Sequence, residues 1–243
     1  MHLPGLPSLF FLFVLLFLLP WSAYRSALRF RAARAVARDD GGSATPAFPS
    51  RELIWINTLI SLALIGGLAW WVGHGFGYPV FALPALGWRE IGAAVLALAG
   101  GFGIRAVVRA SRTEEERRGL AVYRMVPRTG REWALWTAAI LAAGVAEEAA
   151  YRGVGMAILW YALGNPWLAA LISASAFALA HWVQGWKSGL AVFAIGLVMQ
   201  GLVAVTGTLV PAMIVHALYD YAAGILIARQ AKRDWKAPAS ASP

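Results

Sequence analysis

Apolar side chains run through this chain in blocks of about twenty, separated by short segments where arginine, glycine and proline collect. Runs long enough to cross a bilayer, about 17 to 25 residues, fall near 3–24, 53–72, 90–108, 133–160, 167–183, 189–206 and 208–228. They predict an all-α, polytopic transmembrane bundle of about seven spans. The fourth run is too long for one straight crossing, so its first turns, "REWALW", are expected to lie along the interface with their tryptophans at headgroup level. Basic residues then orient the bundle. Arg25, Arg29, Arg31, Arg34, Arg38 and Arg51 fall between the first two runs, eight arginines from Arg105 to Arg131 border or fill the third gap, Lys187 lies in the fifth, and Arg229, Lys232, Arg233 and Lys236 follow the last run. Placing 19 of the 21 lysines and arginines on one side predicts an N-out, C-in topology. Arg89 lies on the other side, and Arg152 lies inside the fourth run.

Composition agrees. Of 243 residues 60% are hydrophobic and 14% charged, with a mean hydropathy of +0.63, against about 25% charged residues in a soluble domain. A net charge of +9 would suggest nucleic acid only if it formed a patch on a soluble face. Here it sits between apolar runs, so the bilayer is the expected partner and nucleic acid is not. The absence of cysteine excludes disulfides, thiolate zinc sites and cysteine nucleophiles. The first run has no positive segment before it and no small-residue cleavage site after it, and reads as a retained reverse anchor.

Three regions are expected. Residues 1–130 form an N-terminal membrane region of three spans with cytoplasmic linkers, among them "DDGGSATPAFPS" at 39–50 and the solvated connector "RTEEERRG". Residues 131–228 form a core, and 229–243 a basic, disordered cytoplasmic tail.

Sorting the ionisable groups by depth is more informative. Away from loops and interfaces six remain: Glu147, Glu148, Arg152, His181, His216 and Asp220. A charge near the bilayer centre costs about 2.5–3.5 kcal/mol on insertion scales, so such groups are rare, face inward and mark functional sites. Glu148 and Arg152 are four residues apart and can pair on one helix face, while Glu147 points about 100° away. "SAFALAHWV" sets Phe177 and His181 on one face of the fifth run, and "PAMIVHALYD" sets His216 and Asp220 on one face of the seventh. Three helices thus each bring a polar face to a bundle. For Glu147 to meet the histidines at the right depth, the fourth span must start near Ala138.

Desolvation in an apolar bundle favours the neutral form of a carboxyl, which makes it a competent base near neutral pH. A histidine beside it can share a bound water, and a second histidine with a carboxyl can steady an oxyanion. With no cysteine and no serine or threonine in an obvious pairing, the fitting chemistry is amide hydrolysis by a glutamate-activated water. Two alternatives stand beside it. Glu, His, His and Asp are plausible zinc ligands, although the HExxH spacing is absent and no cofactor is expected. Intramembrane carboxylates and histidines also build proton relays, but these form one tight group with no inverted repeat around it.

"EEAAYR", "FALAH" and "HALYD" resemble the EExxxR, FxxxH and HxxxN/D motifs of the CPBP family, the CAAX-protease and bacteriocin-processing proteins, over roughly residues 131–228. The resemblance implies an intramembrane endopeptidase of glutamic type, once described as a metalloprotease. It implies Glu147 as the base that activates water with His181 as its partner, His216 and Asp220 as the oxyanion-stabilising pair, and Glu148 with Arg152 in support. Asp220 departs from the asparagine usual in the CAAX enzymes, and an ionised aspartate cannot donate a hydrogen bond. The implied partner is a membrane-anchored protein or peptide, and the implied place a cell inner or plasma membrane, with the site open to the cytoplasm. Catalytically silent immunity or scaffold proteins also occur in the family, so that reading, and a zinc-dependent protease, stay open.

Overall fold

Several helices begin where a side chain takes up a free backbone N–H, and several end at a glycine of positive φ. In the computed structural model, which describes residues 5–39, 49–85 and 87–236, every regular element is helical. The N-terminal rod consists of α1 (Leu6–Phe13), a π-helical segment (Val14–Leu18) and α2 (Leu19–Asp39). α3 (Arg51–Phe76) starts at Ser50, whose hydroxyl accepts from the Leu53 N–H, and stops at Gly77 with φ 77°. α4 (Trp88–Ala110) follows. Thr113 and Glu116 form a capping box that starts the short α5 (Glu114–Arg118), and α6 (Ala121–Arg124) comes next.

A second capping box, Thr129 with Glu132, starts α7 (Gly130–Glu147). The helix passes without a break into a π-helical segment (Glu148–Gly155) and then α8 (Met156–Leu163). Asn165 and Pro166 open α9 (Pro166–Ala180), and α10 (Trp186–Thr206) and α11 (Val210–Lys236) complete the bundle.

Among the described residues five helical stretches are long and apolar enough to cross a membrane: Leu6–Ala33, Arg51–Phe76, Trp88–Ala110, Trp186–Thr206 and Val210–Arg233. The other two expected runs are helical as well, but one is the rod divided by its π segment and the other, α9, has only 15 residues. Fifteen residues span about 22 Å, short of a hydrocarbon layer of about 30 Å. A helix that short, started at one interface, ends inside the bundle, and its C-terminus carries His181. Exposed Leu6, Leu83, Trp88 and Trp167, each at least 80% accessible, belong to the outward apolar surface of a multi-pass membrane protein.

One hydrophobic core ties the elements together. It joins Phe11 and Leu15 of the N-terminal rod to Val72 and Phe76 of α3, Val154 of the π segment and Ile158 of α8, Phe177 of α9, Met199 of α10 and Met213 of α11, so it crosses residue 130 without a break.

Two local expectations differ from what is found. "REWALW" belongs to α7 itself, and Trp136 is 6% exposed, packed on Gly224 and Tyr221 of α11; a glycine opposite lets the indole bury instead of resting at an interface. The helix that carries Glu147 starts at Gly130, where the capping box fixes its first turn. The basic tail is helical as far as Lys236, its "IARQAK" stretch being rich in good helix formers. Residues 237–243, and 40–48 of the expected linker, lie outside the described residues.

Candidate active site

The three motifs meet because α7 and α11 touch backbone to backbone. A Cβ on Gly144 would stand 2.9 Å from the Met213 carbonyl oxygen and 3.1 Å from Ala217 Cβ, so only glycine allows the approach. One turn beyond Gly144, Glu148 is then opposite His216. The His216 Nδ1–H donates to Glu148 Oε1 at 2.7 Å, and Arg152 Nη1 lies 3.2 Å from the same oxygen. Glu148 is 0% exposed and Arg152 3%. In the π segment the wider turn brings residues four apart almost into line, and such segments recur at functional sites. Glu148 thus pins two helices through a buried charge pair, of the kind that is costly to break from one side.

Two surrounding features hold the π segment open. The Tyr151 carbonyl accepts from the buried Ser173 hydroxyl on α9 at 2.6 Å. Gly155 and Gly153 let neighbours close in: Cβ atoms there would stand 2.9 Å from Leu15 Cδ1 and 2.7 Å from Leu209 Cδ1. The Arg152 guanidinium lies 4.0 Å from the centroid of Phe177, a cation–π contact, and its other side fits against Gly196, where a Cβ would come 3.1 Å from Nη2. Ser173 and Gly196 did not stand out in the sequence. Both carry their information only in what lies across the interface.

Phe177 also stacks edge-on with His181, centroids 4.5 Å apart. His181 closes α9, and its side chain caps the helix: Nδ1–H donates to the Phe177 carbonyl at 2.9 Å, one of the carbonyls a helix end leaves free. A carbonyl can only accept, so this bond places the proton of a neutral ring on Nδ1 and leaves the Nε2 lone pair facing Glu147. His181 Nε2 is 4.0 Å from Glu147 Oε1, and His216 Nε2 is 3.7 Å from Glu147 Oε2 and 3.4 Å from Asp220 Oδ2. Glu147 therefore stands between the two imidazoles, one oxygen toward each. It is partly exposed, with 17% of its side chain accessible, and Asp220 is more open at 37%.

A cavity of about 410 Å³ opens on this group, within the range of ligand sites. His181, His216, Asp220, Arg152 and Phe177 are on its wall; Glu147 is not, and meets it through the imidazoles on either side. The structure thus brings all six ionisable residues into one cluster. Among the described residues no group of three or more His, Asp or Glu side chains is placed to hold a metal ion.

The site's scaffold is matched by a known family. The model of the type II CAAX prenyl endopeptidase Rce1-like family matches residues 129–222. Comparisons with curated proteins and with solved structures found no match. The matched segment begins at the Thr129 cap of α7 and ends two residues after Asp220, so it takes in every member of the cluster; it is over these residues that this multi-pass membrane chain is similar to the type II CAAX prenyl endopeptidase Rce1-like family.

Proposed function

We propose that the protein is an intramembrane endopeptidase that hydrolyses a peptide bond of a membrane-associated protein or peptide with a water activated by Glu147, without a metal. One observation carries the reading: Glu147 faces the unprotonated nitrogen of an imidazole whose other nitrogen is tied to the Phe177 carbonyl. Two acceptors 4.0 Å apart are spanned by one water that gives a hydrogen to each, leaving its lone pairs free to attack. As the water oxygen bonds to the scissile carbonyl carbon, its proton passes to Glu147, and then to the departing amine as the C–N bond breaks.

Negative charge developing on the carbonyl oxygen needs a donor across the cavity. His216 and Asp220 face each other there, and Asp220 serves either as a neutral carboxyl or by orienting the His216 ring. Glu148 and Arg152 hold His216 and take no part in proton transfer. The substrate is a membrane-tethered chain because the site lies inside the bundle, and its opening is on the cytoplasmic side, where the arginine-rich segments lie.

The test is cleavage of a membrane-tethered peptide by protein reconstituted in vesicles. Glu147→Ala and His181→Ala each abolish turnover while the fold, followed by thermal melting, survives. Full cleavage by both variants overturns the reading, whereas no cleavage by the wild type, with both variants keeping the biological phenotype, leaves a catalytically silent immunity or scaffold protein. Activity lost to a chelator and restored by zinc overturns the metal-free chemistry.

A further inference from the structure

The wall of the same cavity carries a second charged group that the proposed chemistry does not use. Arg105 and Arg109 of α4 line it, with Arg112 and Arg117 beyond them. The last two are engaged: Arg112 donates to the Ser188 hydroxyl at 2.7 Å and Arg117 to the Arg112 carbonyl at 3.1 Å. Arg105 and Arg109 pair with no acidic side chain among the described residues. Arg105 is half-buried, and the titratable groups that act on it are the phenol of Tyr219, the Arg109 guanidinium and the phenol of Tyr123, none of them a carboxylate.

A half-buried guanidinium without a counter-charge is costly. The positive-inside bias explains why arginines gather at this end of α4, but not why Arg105 faces a cavity. On the α3 side of the same wall the buried Trp55 indole N–H is a further donor without a partner. This part of the cavity offers unpaired donors, as an anion requires.

The distance to the reaction is short. Gly101, one helical turn before Arg105 on the same face of α4, packs against the Tyr219 ring, where a Cβ would approach to 3.2 Å. Four residues rise about 6 Å along a helix, and Tyr219 adjoins Asp220. An extended peptide advances about 3.3–3.6 Å per residue. A chain held at His216 and Asp220 thus reaches Arg105 within a few residues.

We propose that Arg105, with Arg109, binds a carboxylate carried by the peptide substrate, either its free C-terminus or an acidic side chain close to the scissile bond, and so selects which chains are cut. This rests on the endopeptidase reading above, and its test uses binding so that the two can fail separately. Four peptides share one sequence: with a free or amidated C-terminus, and with glutamate or glutamine near the cleavage point. Their affinities for the reconstituted protein are measured by fluorescence anisotropy in phosphatidylcholine vesicles, with cleavage followed in parallel.

The carboxylate-bearing peptide is expected to bind about 10- to 100-fold more tightly than its neutral counterpart, the worth of a charge-assisted hydrogen bond. Arg105→Gln brings that preference toward one, Arg105→Lys keeps part of it, and Arg89→Gln, outside the cavity, keeps all of it. The free-terminus and glutamate peptides tell which carboxylate is read. Equal binding of all four peptides, or an unchanged preference in Arg105→Gln, overturns the proposal. So does a preference that is lost once anionic lipid is added to the vesicles, which would make a headgroup the occupant. Selective binding without cleavage in the wild type overturns the endopeptidase reading and leaves the carboxylate site standing.

Discussion

At Glu148 the buried charge is shared: one oxygen meets both the His216 Nδ1–H and the Arg152 guanidinium. Removing Arg152 leaves that carboxylate buried without its cation, a change of the kind that costs about 3–5 kcal/mol. Arg152→Ala is expected to lower the thermal midpoint as well as activity, whereas Glu147→Ala, at a partly open carboxyl, lowers activity alone; melting curves beside rates check the contrast. Asp220→Asn tests the other side of the cavity. An amide donates a hydrogen bond at any pH and a carboxyl only when protonated, so the variant is expected to stay within about tenfold of wild type and lose less activity as pH rises. A pH–rate profile that steepens on the alkaline side would contradict this. The pairing of Glu148 with Arg152 was legible because four-residue spacing is a property of one helix. The bond from Glu148 to His216 was not, since it depends on the glycine contact between α7 and α11.

At the scale of the elements, the π segment Glu148–Gly155 is packed against α3, α9 and α10. Nothing in "EAAYRGVG" announces it, because a π turn is stable only where other elements bond its backbone and pack against it, as Ser173 and Leu15 do here. Leu15→Ala opens a gap beside Gly155, and large-to-small changes in a core cost about 2–5 kcal/mol. It is expected to destabilise the bundle and slow cleavage, although the N-terminal rod carries none of the six site residues; an unchanged melting temperature would contradict it. α5 is held differently. Lys187 Nζ lies 2.9 Å from both Glu116 oxygens, and that ammonium holds the carboxyl below the usual glutamate value of 4.5. A depressed carboxylate contributes fully above 4.5 and loses its contribution as pH falls through the lowered value. Protection of α5 from hydrogen exchange, taken relative to the intrinsic rate at each pH, should therefore fall in acid, and Lys187→Ala should give the same loss of protection at neutral pH. The connector expected to be merely solvated is thus fastened to the start of α10.

For the whole molecule, hydrophobic run length and arginine spacing made the all-helical membrane architecture legible. They left the division of the fourth run and the shortness of α9 hidden, since both are set by packing and caps. A chain without cysteine suits the topology test. Gly41→Cys and Ala239→Cys are expected to react with an impermeant reagent only from the cytoplasmic face, and Ala85→Cys only from the opposite one; the reverse pattern would invert the bundle and the side on which the cavity opens. The central claim is that water, not a protein carboxylate, attacks the scissile carbonyl, and a single turnover in ¹⁸O-enriched water tests it most directly. The account predicts one ¹⁸O in the new carboxylate of the product and none in Glu147, with no product from Glu147→Gln; ¹⁸O in the Glu147 side chain, or a first product without the label, would contradict it.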